Sequence, residues 1–226
     1  MRILVLCTAN VCRSPMAERL LRHHAAARHV DATVDSAGLL AGGRAASDGS
    51  VRALTRLGIG LDDHQSRELT VELLDAADLV LAMEARHVRE ATVLAPHRFS
   101  SIYTVRELVT LAEPVGPRGD RRLDEWLADV GAGRTGSSLI GATDLDVADP
   151  YGGPDAGYLR TAAELVELTD TIAGHLWGPL PSDVPPLDAS VLTEGSESGT
   201  GSALGGWLAR WRRPSRPSSP PPLDAG

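Results

Sequence analysis

The sequence contains no lysine. Its 22 basic residues are all arginine, set against 30 acidic ones for a net charge of −8. That balance excludes a diffuse basic surface for nucleic acid and leaves an anion site only as a local pocket. A Walker-type nucleotide loop, GxxxxGK[ST], is excluded because it needs a lysine. The heavy use of Ala, Gly, Pro and Arg reads as the coding bias of a GC-rich bacterium. Cysteine is almost as scarce: the two present, Cys7 and Cys12, fall within the first dozen residues. Such a pair is not the disulfide framework of a small secreted protein, and no second pair exists to complete a zinc site. No metal or cofactor is expected, and reactivity becomes the leading reason for the pair. Long apolar runs are missing too. No stretch reaches membrane-spanning length, and the N-terminus lacks a charged segment followed by a long apolar one. A cytoplasmic protein without stable membrane insertion is expected.

What is present is a regular alternation. Ile3 to Leu6 is a short apolar run of the kind buried on both faces of a sheet, ending at Cys7. Pro15 suits a first helical turn, and from Met16 the apolar residues Met16, Ala17, Leu20, Leu21 and Ala25 recur at helical spacing. Further strands are predicted over 30–36, 76–83 and 99–103. Helices are predicted over 47–57, 84–93, 105–111, 123–130 and 157–176. Strands alternating with helices imply an α/β fold of three layers, a four-stranded parallel sheet with helices on both faces, joined by right-handed crossovers. Ligands of such sheets sit at the carboxyl ends of the strands, where residues 7–13 fall after the first strand.

After Leu180 the composition turns to Pro, Ser and Gly. Residues 1–180 are therefore expected to form one domain and 181–226 a disordered tail, which has too little apolar surface to offset its ordering entropy. Within the tail, GGWLARWRR at 205–213 places Trp207 and Trp211 beside Arg210, Arg212 and Arg213. That pattern would suit a short partner-binding or membrane-touching helix, although an idle tail is the simpler reading.

The loop CTANVCRSP carries the chemistry. Between a strand end and a helix N-terminus, the amides of Thr8, Ala9, Asn10, Val11, Cys12 and Ser14 can cradle a phosphate dianion, with the helix dipole adding to the attraction. The same field favours a thiolate, which marks Cys7 as a nucleophile. Arg13 closes the loop, and its planar fork can hold two phosphoryl oxygens at once. Nucleophile, anion cradle and arginine together specify phosphoryl transfer through a phosphocysteine. Taken singly, Cys7 could be an inert buried thiol and Arg13 a surface residue; the combined string argues against both.

On these residues the chain resembles the low-molecular-weight protein tyrosine phosphatases. CTANVCRSPMAE is similar to that family's Cys-x5-Arg-Ser-Pro loop, DSAGL at 35–39 to its Ser-Ala-Gly turn, DDHQSREL at 62–69 to its His-x-Ser-Arg segment and DPYG at 149–152 to its Asp-Pro acid loop. The resemblance implies a four-stranded parallel sheet and metal-independent hydrolysis of phosphotyrosine in a protein substrate, with phosphate and other oxyanions also entering the loop. It implies that Cys7 is the nucleophile, Arg13 the phosphate ligand and Ser14 the hydroxyl that donates to the thiolate. Asn10 would hold a strained loop conformation, with Ser36 and His64 supporting its side chain. Asp149 would be the general acid, preferred over Asp144 and Asp146 by its Asp-Pro-Tyr context. Tyr151 would wall the cleft, and Cys12 could capture oxidised Cys7 as a disulfide.

Two departures stand out. Residues 39–49, LLAGGRAASDG, offer no aromatic for the opposite wall of the cleft, and Glu113 to Gly141 leaves room for an inserted element. Two other functions fit part of the pattern. An arsenate reductase on the same fold, using an external small thiol, would need only Cys7. A catalytically silent phosphate-binding module would need neither Cys7 nor Asp149.

Overall fold

The computed structural model describes residues 1–139 and 141–193. Four strands form its sheet: β1 (Arg2–Cys7), β2 (Thr33–Gly38), β3 (Leu79–Ala82) and β4 (Ile102–Thr104). All neighbouring pairs are parallel and the order is β2-β1-β3-β4. The helices are α1 (Arg13–Ala27), α2 (Asp48–Thr55), α3 (Val71–Ala76), α4 (Ala85–Leu94), α5 (Val105–Val115), α6 (Leu123–Val130) and α7 (Asp155–Trp177).

Register explains why β1 and β3 read as unbroken apolar runs. Ile3 pairs with Val34 and Leu79 in one row, and all three face the cluster built with Met16, Leu20, Leu165 and Ile172. The next row, Leu4, Val80 and Ile102, faces the opposite cluster with Leu74, Val88 and Ala91. With side chains alternating between two covered faces, the inner strands β1 and β3 are apolar on both, while the edge strand β2 shows Thr33 and Asp35 on one side. Because β2 and β3 flank β1 on opposite sides, the chain changes winding direction at β1, which opens a crevice at the carboxyl end of that strand.

The four-stranded parallel α/β sheet agrees with the sequence reading; several boundaries differ. The run from Ala76 to Met83 does not begin as strand, because Ala76 closes α3, a short helix missed from sequence. Thr70 nucleates that helix by accepting the Leu73 N–H at 3.4 Å. Strand β2 begins at Thr33, not residue 30, since the chain after α1 first turns at His29, φ +53°, with Val30 N–H returning to Ala25 O. Pro96 opens a 3-10 turn through Ser101, so β4 starts at Ile102. Helix α5 runs on to Val115 with Pro114 in its last turn. The 113–141 stretch contributes α6 over the residues predicted. Its Trp126 is fully buried and donates from Nε1 to Gly116 O at 3.0 Å.

Beyond α7, residues 189–192 form a 3-10 turn and Leu192 is buried against the α1/α7 side of the core. Composition placed everything after Leu180 in the tail; apolar Leu187, Ala189, Val191 and Leu192 instead carry the folded unit on to Thr193. The Trp207 and Trp211 cluster lies outside the described residues. Among the described residues no helix is long and apolar enough to cross a membrane.

Candidate active site

Residues 8–12 connect β1 to α1 at the switch point, and three of their carbonyls, those of Thr8, Asn10 and Val11, are tied outward. Thr8 O accepts the N–H groups of Leu39 and Leu40 at 2.7 and 3.1 Å, Asn10 O accepts His64 Nε2–H at 2.7 Å and Val11 O accepts Ser47 N–H at 2.8 Å. A peptide plane points its N–H opposite to its C=O. The amides of Ala9, Val11 and Cys12 therefore point inward, and they donate to no acceptor among the described residues. Helix α1 starts at Arg13 and adds the positive end of its dipole to this ring. Gly38 lies under the loop: a Cβ there would come within 2.8 Å of Asn10 N and 2.9 Å of Thr8 O, so no other residue fits.

Cys7, buried at the base of the ring, receives two hydrogen bonds on Sγ, from Asn10 N–H at 3.2 Å and Ser14 Oγ–H at 2.9 Å. The direction of the second is fixed by a relay. Asn10 Nδ2 donates to Ser14 Oγ at 3.0 Å and to Ser36 Oγ at 2.8 Å, while Ser36 donates to buried Glu18 at 2.5 Å. Ser14 thus accepts from the amide and has its own proton left for sulfur. Asn10 Oδ1 accepts Arg67 N–H at 3.0 Å, and Asn10 itself sits at φ +53°, in the left-handed region that asparagine tolerates well. Ser36 supports the Asn10 side chain as expected. His64 does not: it holds the backbone carbonyl, and the side-chain role passes to Arg67 N–H and Ser14.

Arg13 is 1% exposed. Its Nη1 donates to Glu84 Oε1 at 2.5 Å and Val147 O at 2.8 Å, and Nη2 to Asp149 Oδ2 at 2.7 Å. Nε is buried and has no partner among the described residues. Asp149 also accepts Tyr151 N–H at 3.2 Å on Oδ1, and its side chain keeps 43% of its surface exposed. The rival acids are placed elsewhere: Asp146 accepts Ala85 N–H at 2.7 Å at the start of α4, and Asp144 is exposed on a 3-10 turn. Of the three, Asp149 is the one that reaches Arg13.

Tyr151 is 58% exposed beside the acid, and the guanidinium of Arg44 lies over its ring. Two groups that sequence reading missed meet the Thr8 hydroxyl: Arg86 donates to it, and His87 Nε2 is hydrogen-bonded to it at 3.1 Å. Burial pushes the His87 imidazole down to about 3, so it is neutral there. Cys12 and Cys7 are both free thiols; Cys12 Sγ lies 3.0 Å from Ser47 Oγ, and burial pushes its thiol up. Glu84 was missed as well, although an acid immediately beyond the carboxyl end of a buried strand is a legible signal.

Comparison with known proteins identifies the family. Residues 2–114 match the model of the low molecular weight phosphotyrosine protein phosphatases. The chain is 33% identical over 177 residues to the protein-arginine-phosphatase of Bacillus subtilis, covering 78% of this chain and 97% of that protein. It is 40% identical over 95 residues to the low molecular weight protein-tyrosine-phosphatase Etp of Escherichia coli, covering 42% of this chain and 62% of that one. The solved low molecular weight protein tyrosine phosphatase of T. tengcongensis superposes with a TM-score of 0.60 at 34% identity, over 78% of this chain and 99% of that one. The chain therefore belongs to the low molecular weight phosphotyrosine protein phosphatase family, and it is a phosphatase.

Proposed function

We propose that the chain hydrolyses phosphotyrosine in a cytoplasmic protein through a phosphocysteine. The observation that carries this is the sulfur of Cys7, hydrogen-bonded at 2.9 and 3.2 Å by Ser14 and Asn10 at the base of a ring of inward amides. A phosphoryl group seated in that ring meets donors from Ala9, Val11, Cys12 and the Nε of Arg13, and these match the charge on its equatorial oxygens. Cys7 attacks phosphorus as the aryl oxygen departs. Asp149 gives that oxygen a proton, because a phenolate is otherwise a poor leaving group. In the second step Asp149 takes a proton from water, water attacks phosphorus and the S–P bond breaks, with Ser14 stabilising the sulfur that leaves. Tyr151 and the exposed Leu40 supply apolar surface at the mouth. Cys12 is the candidate to capture oxidised Cys7.

A second substrate reading has one observation in its favour: a relative matched over 97% of its length is named a protein-arginine-phosphatase. The two readings share Cys7, the ring and Arg13, and differ in whether the leaving atom is a phenol oxygen or a guanidinium nitrogen. Parallel turnover of matched phosphotyrosine and phosphoarginine peptides separates them. The phosphotyrosine reading requires the larger kcat/KM on the former, and the reverse order would replace it.

A further inference from the structure

We propose that Arg44 selects substrates by pairing with an acidic side chain next to the phosphorylated residue, so that acidic phosphopeptides are the favoured class. The inference rests on the phosphatase reading above.

The segment after β2 skirts the phosphate loop. It is pinned at one end by Leu39 and Leu40 on Thr8 O and at the other by Ser47 on Val11 O. Arg44 stands between those anchors, on a backbone that is itself fastened. Its N–H donates to Ser66 Oγ at 2.9 Å, its carbonyl accepts Ser66 N–H at 2.7 Å and Gly43 N–H donates to Ser66 O at 2.7 Å. Gly42 lets the two backbones close in, since a Cβ there would stand 2.5 Å from Ser66 O. From this base the guanidinium crosses to the acid loop, donating from Nη2 to Tyr151 Oη at 2.9 Å, with its carbon 5.7 Å from the ring centre. The hydrogen bond to Tyr151 holds one corner of the fork beside the ring, while the remaining N–H groups stay open to a ligand.

The charges point the same way. Arg86, the other arginine at the mouth, is paired with Glu84. Arg44 is exposed and has no carboxylate partner among the described residues. On a chain of net charge −8 this cation is an unmatched feature of the rim, beside the Asp149–Tyr151 loop that the substrate must pass. A carboxylate on the peptide is the complement it lacks, and a side chain already held in place loses little freedom on pairing.

The test compares kcat/KM for two phosphotyrosine peptides that differ only by Glu or Gln beside the phosphorylated residue, in wild type, Arg44→Gln and Arg44→Glu. Wild type should favour the Glu peptide about threefold to fivefold, the range of an exposed, pre-positioned ion pair. The preference should shrink at high salt. The ratio should fall to about one in Arg44→Gln and invert in Arg44→Glu. A wild-type ratio near one, or a ratio that survives in Arg44→Gln while both rates drop together, overturns the role of Arg44 and leaves the phosphatase reading intact. Turnover of neither peptide by wild type overturns the phosphotyrosine reading itself.

Discussion

Arg13 and Asp149, 136 residues apart in sequence, form an ion pair in the folded chain, with Nη2 2.7 Å from Oδ2. The contact sets the candidate general acid beside the candidate phosphate ligand, at the edge of the cradle where a leaving oxygen emerges. Asp149→Ala should therefore slow phosphorylation of the enzyme by phenyl phosphate about 10²- to 10⁴-fold, and by a nitrophenyl ester far less. The pre-steady-state burst is the readout, since in the proposed mechanism breakdown of the phosphoenzyme would use the same carboxylate. Asp144→Ala and Asp146→Ala should keep the wild-type pattern. A uniform loss across leaving groups would make Asp149 a structural residue instead.

The way Arg13 is held gives a second prediction. Glu84 and Asp149 each fix one Nη, which leaves Nε for substrate. Arg13→Lys keeps the charge and loses the fork, and kcat/KM should fall by about 10²-fold or more. Glu84→Gln keeps the shape and loses the charge, and inhibition by vanadate should weaken about tenfold. Near-normal kcat/KM in Arg13→Lys would remove it as the phosphate ligand.

The proton relay through Asn10 yields a third. Ser14→Ala removes the hydroxyl bonded to Cys7 Sγ and leaves Asn10 bonded to Ser36. Breakdown of the phosphoenzyme should slow about tenfold, enlarging the burst relative to the steady state, because one hydrogen bond to the departing sulfur is lost. An unchanged burst-to-steady-state ratio would contradict the relay.

Two buried histidines should weaken the fold as pH falls. Burial pushes His87 down to about 3 and His24 to about 4, below the ordinary 6.5. For His87, Glu84 opposes the shift while Arg13 and Arg86 reinforce it; for His24, Asp170 opposes and Arg28 and His23 reinforce. The unfolded chain then binds protons first as pH falls, so the stability these two groups contribute is intact above about pH 6.5 and drains toward the folded values. Thermal unfolding should show Tm dropping between pH 6.5 and 4.5, with a shallower slope in His24→Gln and in His87→Gln. Parallel slopes in all three proteins would exclude these histidines as the cause.

Much of this was legible in the sequence because it depends on short-range order. Strand β1, the loop and the start of α1 are contiguous, so Cys7 and Arg13 could be assigned to one loop from spacing, and the family resemblance added Ser14. The Asp-Pro-Tyr context singled out Asp149 from a stretch with three acids. What could not be read was fixed by contacts across the sheet. Glu84 and Arg86 reach the loop only because β3 lies beside β1, and Arg67 meets Asn10 through its backbone N–H, which carries no residue signature. His64 was placed in the right neighbourhood with the wrong partner for the same reason. Residues 181–193 were misread because four apolar side chains in a Pro-rich stretch are too few for a pattern, yet enough to dock on a core already formed.

The central claim is that Cys7 carries the phosphoryl group, and one comparison tests it most directly: hydrolysis of an aryl phosphate in excess EDTA by wild type and by Cys7→Ser. The account predicts sustained turnover by wild type, competitive inhibition by vanadate and no measurable turnover by the variant. Turnover retained in Cys7→Ser, or wild-type turnover abolished by the chelator and restored by a metal ion, would contradict it.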